Sequence, residues 1–243
     1  MQRGRTSDES IPLWRRGLVE HPLPAGWLES EQPAGGGWLD GKSPEEQVAT
    51  GDVYTDGSGQ GPAGCRAYGW GFAVVGPSGE LIFGAYGTVP GVRGDLSVLR
   101  AELYAVLQVL IQAQPPLRIG IDNATVIRGL QRGQRWCCHS RRAHCDLWEQ
   151  IWRKIEDLGG MGADGVSAIK VKAHRTQTER NQLQGDELRH FLGNELADRA
   201  ARTGAEPALA PSWLAQLWEQ RWKDVQDVCT FVGGFRQNSR SLQ

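Results

Sequence analysis

Four acidic residues stand out for what surrounds them: Asp56, Glu102, Asp122 and Asp198. Asp56 follows Val53-Tyr54-Thr55 and precedes Gly57-Ser58, so strand-forming side chains deliver a carboxylate to a tight turn. Asp122 likewise ends the run Leu117-Arg118-Ile119-Gly120-Ile121. Glu102 shares a helical face with Leu99 and Val106, three and four residues away, and Asp198 lies between Leu196 and Ala200-Ala201. A carboxylate on a core-facing side costs free energy unless something compensates it. Four such groups near one sheet edge would repel one another, and hard divalent cations with oxygen ligands are the usual remedy. Mg2+ suits a site of carboxylates, waters and phosphate oxygens. Taken singly, each acid is more often a solvated surface residue or a helix cap. Their recurrence at comparable places in successive elements favours a joint site.

The elements that must position them follow from pattern. Val53 to Asp56, Trp70-Gly71-Phe72-Ala73-Val74-Val75 and Glu80 to Gly87 read as three antiparallel strands separated by glycine-rich turns. Ser97 caps a helix to about Ala113, with Leu99, Leu103, Val106, Leu107 and Leu110 at helical spacing, and Pro115-Pro116 stops it. Leu117 to Ile121 is a fourth strand. A helix begins at Asn123, and an amphipathic one runs from Asp146 to Gly159-Gly160. Val166 to Val171 is a fifth strand, His174 to about Leu192 a polar loop, and Asn194 to Ala201 the last helix of this region. The order predicts an α/β fold, a five-stranded mixed sheet flanked by helices with its first three strands antiparallel.

Around this lie two extensions, giving expected divisions at 1–49, 50–204 and 205–243. The first carries five prolines and Gly35-Gly36-Gly37, which predict irregular chain, with Trp14, Trp27 and Trp38 docking on the domain or a neighbour more readily than stacking on bases. The last carries Leu214, Leu217, Trp218, Trp222 and Val225 on one broad helical face, then a frayed tail from Arg236 to Gln243. A net charge of −1 does not announce a nucleic-acid binder, so any such surface must be local. No run of about 18 apolar residues suggests a membrane span. The N-terminus lacks the apolar core of a secretory signal. Five cysteines, an odd number, read as free thiols of an intracellular protein, nuclear or cytoplasmic.

Five motifs in order, Tyr54-Thr55-Asp56-Gly57-Ser58, Arg100 to Ala105, Ile121-Asp122-Asn123, Lys172-Ala173-His174 and Gly193 to Asp198, resemble type 1 ribonuclease H over about residues 50 to 204. The form is similar to that of retroelement polyproteins and of free-standing relatives. The resemblance implies a nuclease that hydrolyses the RNA strand of RNA–DNA hybrids with two Mg2+ ions, Mn2+ being an alternative, leaving 5′-phosphate and 3′-hydroxyl ends. It implies Asp56, Glu102, Asp122 and Asp198 as the metal-site carboxylates, Glu102 also near the RNA 2′-hydroxyl, and His174 as a mobile-loop histidine that helps protons or product leave. His190 rivals His174 for that role, because the following loop is long. A reverse-transcriptase-type neighbour or parent polyprotein becomes a candidate partner; a membrane does not.

The chain departs from the family pattern in places. Val98 and Leu99 stand where amide side chains read the minor groove, with only Ser97 left to contact a phosphate, and the turn after Asp56 lacks an asparagine. Between Asp122 and the Asp146 helix there is little room for a full basic handle. That segment nonetheless holds Arg128, Arg132, Arg135, Arg141 and Arg142 with no acid from Asn123 to Cys145, and Trp136 among them. Such a row can neutralise phosphates, so Asn123, Arg135, Arg141 and Arg142 join Ser97 as expected substrate contacts. Cys137-Cys138-His139 and His144-Cys145 could in principle hold zinc, but adjacent ligands seldom converge on one ion and no Cys-x-x-Cys is present. Two other functions compete: a non-catalytic binding remnant, which the presence of all four acids disfavours, and a same-fold nuclease of relaxed substrate choice.

Overall fold

A computed structural model describes residues 23–24, 26–41, 49–172 and 177–240. His174 therefore lies outside the described residues, as does Trp14. The described residues fall into a larger unit, within Glu29–Gln60 and Ala67–Leu209, and a smaller one that takes in Leu23, Pro24, residues 26–28, Gly61–Arg66 and residues 210–240.

The larger unit is built on six strands among the described residues: β1 (Gly36–Trp38), β2 (Ala49–Gln60), β3 (Ala67–Val75), β4 (Leu81–Thr88), β5 (Ala113–Ile121) and β6 (Val166–Lys170), in the order β1-β4-β3-β2-β5-β6. The first four are antiparallel; β5 runs parallel to both β2 and β6. Five strands were expected, and the sixth is Gly36–Trp38, which pairs with Tyr86 and its neighbours on β4. Three residues with two glycines carry no alternation, so nothing in the pattern betrays them. Helices α1 (Val98–Ile111), α2 (Ala124–Arg132), α3 (Gln134–Cys137), α4 (Cys145–Asp157), α5 (Gln177–Arg180) and α6 (Gly185–Ala205) complete the unit.

Strand β2 is buried on both faces because α1 and α6 cover opposite sides. Val53 packs with Leu103, Val106 and Leu110 of α1 and with Ile151 and Ile155 of α4. Tyr54, pointing the other way, packs with Ala197 and Ala200 of α6. On that second face the helix lies almost on the sheet backbone. A Cβ added to Gly71 would sit 2.4 Å from the Ala201 nitrogen, so only glycine permits this approach.

Three element boundaries differ from expectation. Strand β2 runs past Asp56 through the first part of the expected glycine-rich turn to Gln60, because Gly57 to Gln60 pair with Trp70 to Ala67 on β3. The strand β5 begins at Ala113 and takes in Pro115-Pro116, and its register against β2 slips between the pairs Ala49–Ala113 and Gly51–Leu117. The prolines fall in that irregularity, where no ladder donor is required. Helix α6 begins at Gly185, so the expected polar loop to Leu192 is half helix. Residues 185–193 have few apolar positions and end on Gly193, which hides their helical period.

In the smaller unit, Leu23, Cys65 and Leu214 are buried, with Trp27, Ala210 and Trp218 half-buried against them. Its long helix α7 (Ser212–Arg240) stacks Trp218 on Trp222 at 5.5 Å but leaves Trp213, Leu217 and Trp222 exposed, so the expected broad apolar face is only partly covered. No helix among the described residues is long and apolar enough to cross a membrane.

Candidate active site

Parallel pairing brings the first two acids together. Thr55 pairs with Ile121, and the next residue in the chain is in each case an aspartate, so Asp122 at the end of β5 stands beside Asp56 within β2. Glu102 reaches them from α1, which starts one turn earlier at Ser97, whose Oγ accepts the Arg100 amide at 3.1 Å. Asp56, Glu102 and Asp122 each offer a carboxylate oxygen, and the three lie within 4.8 Å of one another.

Asp56 and Glu102 are buried, at 8% and 4% exposure. Burial, then the charges of Asp122 and Asp198, push Asp56 up to about 7, with hydrogen bonding from the Gly57 amide opposing. Burial, then Asp56 and Asp122, drive Glu102 well above the ordinary carboxylate range. Glu102 Oε2 is buried with no hydrogen-bond partner. An orphaned buried oxygen facing two further carboxylates is a donor set for a hard cation, and these residues fit one.

The neutral groups nearby are amides. Asn123 caps α2 with its Oδ1, accepting from Thr125 and Val126 at 2.9 and 3.3 Å, and turns its Nδ2 to Glu102 Oε1 at 3.3 Å. Asn194, buried on α6, points Nδ2 at Asp122 Oδ2 at 3.5 Å. Lys170 donates to the main-chain carbonyls of Asp122 and Val171. Asn194 and Lys170 were not among the expected site residues. Asn194 could have been found, since it lies four residues before Asp198 on the same helix.

The fourth expected acid, Asp198, is not in the group of three. Its charge acts on Asp56, but its carboxylate is paired with Arg202 at 3.0 Å. His190 is engaged elsewhere: its Nδ1 meets the Tyr54 hydroxyl at 2.6 Å. Burial, then Arg118, lowers the His190 pKa, and burial raises that of Tyr54 to about 12. This contact anchors the start of α6 to β2.

Of the expected substrate contacts, Ser97 Oγ meets His144 Nε2 at 3.0 Å, while Arg100 faces His144 Nδ1 at 3.5 Å and grips Asp146 at 2.8 and 3.1 Å. Arginine only donates, so Nδ1 is the acceptor and Nε2–H the donor to Ser97. Arg135, Arg141 and Arg142 are exposed. The Arg142 and Arg132 guanidinium carbons lie 3.8 and 4.8 Å from the Trp136 ring centroid. Cys137 is buried, its thiol donating to the Gly129 carbonyl, and among the described residues no cysteine or histidine joins a metal-ligand group.

A mixed sheet with helices on both faces and three acids at one edge defines an α/β fold with an acidic cluster. The sequence model of the RNase H family matches residues 49–206, well over half the chain, and the chain belongs to that family: it is a ribonuclease H. No curated protein matches it. Similar solved structures include a foamy viral protease-reverse transcriptase in complex with RNA/DNA hybrid, at 17% identity, covering 68% of this chain but 21% of that one, TM-score 0.47. LC9-RNase H1, a type 1 RNase H with the type 2 active-site motif, is 16% identical over 71% of this chain and 82% of its own, TM-score 0.44. RNase H1 from the halophilic archaeon Halobacterium salinarum NRC-1 is 18% identical over 66% and 100%, TM-score 0.42.

Proposed function

We propose that this protein is an endonuclease that cuts the RNA strand of RNA–DNA hybrids, leaving 5′-phosphate and 3′-hydroxyl ends, with residues 50–204 as its catalytic domain. The observation that carries the reading is the meeting of Asp56, Glu102 and Asp122 with oxygens within 4.8 Å, in surroundings that hold two of them short of easy ionisation. These three, with Asp198, would hold two Mg2+ ions, Mn2+ substituting. When bound, such ions supply an activated water and neutralise charge on the scissile phosphate and leaving oxygen.

The chain's own groups have separate tasks. Asn123 and Asn194 orient Glu102 and Asp122 through neutral amide donors, which fix the carboxylates without cancelling the negative charge a cation requires. Glu102 stands by the RNA 2′-hydroxyl, the group that separates RNA from DNA. Ser97, Asn123 and the exposed Arg135, Arg141 and Arg142 contact the backbone of the substrate, and His174 carries a proton or eases product out. A reverse-transcriptase-type neighbour fits this function as a partner.

Incubation with labelled RNA–DNA hybrid, duplex DNA and duplex RNA in Mg2+ tests the reading. Cleavage of hybrid alone, abolished in Asp56→Asn and Asp122→Asn, is expected. An intact hybrid in the presence of folded protein would sink it, and equal cleavage of all three duplexes would replace it with a nuclease of relaxed choice.

A further inference from the structure

Arg202 lies one helical turn after Asp198 on α6 and covers both of its carboxylate oxygens. Nε donates to Oδ1 at 3.0 Å and Nη2 meets Oδ2 at 3.0 Å. Asp198 is absent from the group of three acids, although its charge and that of Arg202 both act on Asp56. The main chain at Arg202 is fixed as well, because its carbonyl accepts Gln60 Nε2 at 2.6 Å, at the far end of the strand that carries Asp56. The neighbouring Arg199 is committed to Asp40 at 2.9 Å. The fourth acid is thus held one turn along the helix by a tethered cation.

We propose that Arg202 is a positioning residue that withholds Asp198 from the three-acid group, and that Asp198 exchanges Arg202 for a second divalent cation as the site fills. This rests on the metal-site reading above. The exchange is feasible because the pair is weak: its side chains are 58% and 30% exposed, and exposed pairs at this spacing contribute little. A divalent ion beside three further acids competes easily with one solvated guanidinium. The consequence is selective, since the first ion can be held by Asp56, Glu102 and Asp122 while the second must displace Arg202. Arg202 therefore sets the concentration at which the site becomes fully loaded.

Calorimetric Mn2+ titration of the full chain, with bound ions counted by electron paramagnetic resonance, tests this without recourse to activity. Wild type should bind Mn2+, and Asp56→Asn should lose it. Arg202→Ala should bind the weaker ion about 1.5- to fivefold tighter, the factor that removing a weak ion pair gives at 1.4 kcal/mol per decade. In an Asp198→Asn background the same substitution should change nothing, which isolates the pairwise contribution. Unaltered weaker-ion affinity in Arg202→Ala would overturn the inference. So would a gain that persists with Asp198→Asn, since Arg202 would then act only as a nearby charge. Failure of wild type to bind Mn2+ at all would overturn the metal site and the inference together. Arg202→Gln gives the same readings should the alanine variant unfold.

Discussion

A Cβ placed on Gly57 would lie 2.2 Å from the main-chain nitrogen of Glu102. Strand β2 and helix α1 therefore touch backbone to backbone where the three acids meet, and Gly57, expected in a turn, is a strand residue paired with Trp70. It lets Glu102 stand beside Asp56. Gly57→Ala must push α1 away, at about 1–3 kcal/mol or more for overpacking a tight contact. It should also separate the two carboxylates, so hybrid cleavage should fall by more than the loss of folded protein explains. Thermal unfolding and single-turnover cleavage on one preparation check both.

The raised acids predict an unusual pH dependence of stability in metal-free protein. Asp56 and Glu102 have folded-state pKa values above their ordinary ones, so each favours the fold while protonated. That contribution is complete below the unfolded value near 4 and lost as pH rises through about 7 for Asp56. At most roughly 4 kcal/mol is at stake for Asp56, from about three units at 1.36 kcal/mol each. In EDTA the unfolding temperature should fall between about pH 5 and pH 8, and Asp56→Asn should be more stable than wild type at the upper end. Saturating Mg2+ should flatten the profile. A metal-free profile that rises over this interval would contradict the electrostatic account.

How far the site could be read from sequence depends on what each residue answers to. Asp56 and Asp122 were legible because a strand pattern ends on them and parallel pairing then sets them side by side. Glu102 was legible from the helical period of Leu99, Leu103 and Val106. The pairing of Asp198 with Arg202 needed only the four-residue spacing of a helix, yet the acid alone drew attention. Strand β1 was hidden because its three residues, two of them glycine, carry no alternation, and the chain just before it is held by a side chain. Gln32, at 5% exposure, accepts from the Tyr68 amide and donates to the carbonyls of Tyr68 and Val89. No periodicity announces such a contact.

Gln32 accordingly has a testable role in a region expected to be irregular. Gln32→Ala removes three hydrogen bonds, those with the Tyr68 amide and with the Tyr68 and Val89 carbonyls, although the Tyr68 carbonyl keeps the Val89 amide; about 1–3 kcal/mol per group left unsatisfied bounds the loss. The unfolding temperature should drop by several degrees, and a chain beginning at residue 49 should be destabilised at least as much. If both are as stable as wild type, this segment is not part of the folded unit.

His190 and Tyr54 separate an anchoring role from a proton-carrying one. His190→Phe strands the buried Tyr54 hydroxyl and should destabilise by about 1–3 kcal/mol. Because the His190 pKa is depressed in the fold, its contribution is present above the unfolded value near 6.5 and lost as pH falls through the folded one. The gap between wild type and variant should therefore close on acidification. Turnover per folded molecule should hold in His190→Phe and fall in His174→Ala; the opposite pattern would give the catalytic histidine role to His190.

The arginines around Trp136 predict how salt should act on substrate binding. Arg142 and Arg132 lie over the Trp136 ring, while Arg135 and Arg141 are exposed near them in sequence. Each phosphate neutralised contributes about 0.9 to the slope of log affinity against log salt for duplex DNA. Replacing Arg135, Arg141 and Arg142 by alanine should weaken hybrid binding and flatten that slope by up to about three. Arg142 has a second task, since its guanidinium covers an aromatic face, so Arg142→Lys should keep the salt slope while exposing Trp136 and altering its fluorescence. Filter-binding titrations across salt concentrations decide the point: an unchanged slope in the triple variant would mean that this face does not meet the nucleic acid.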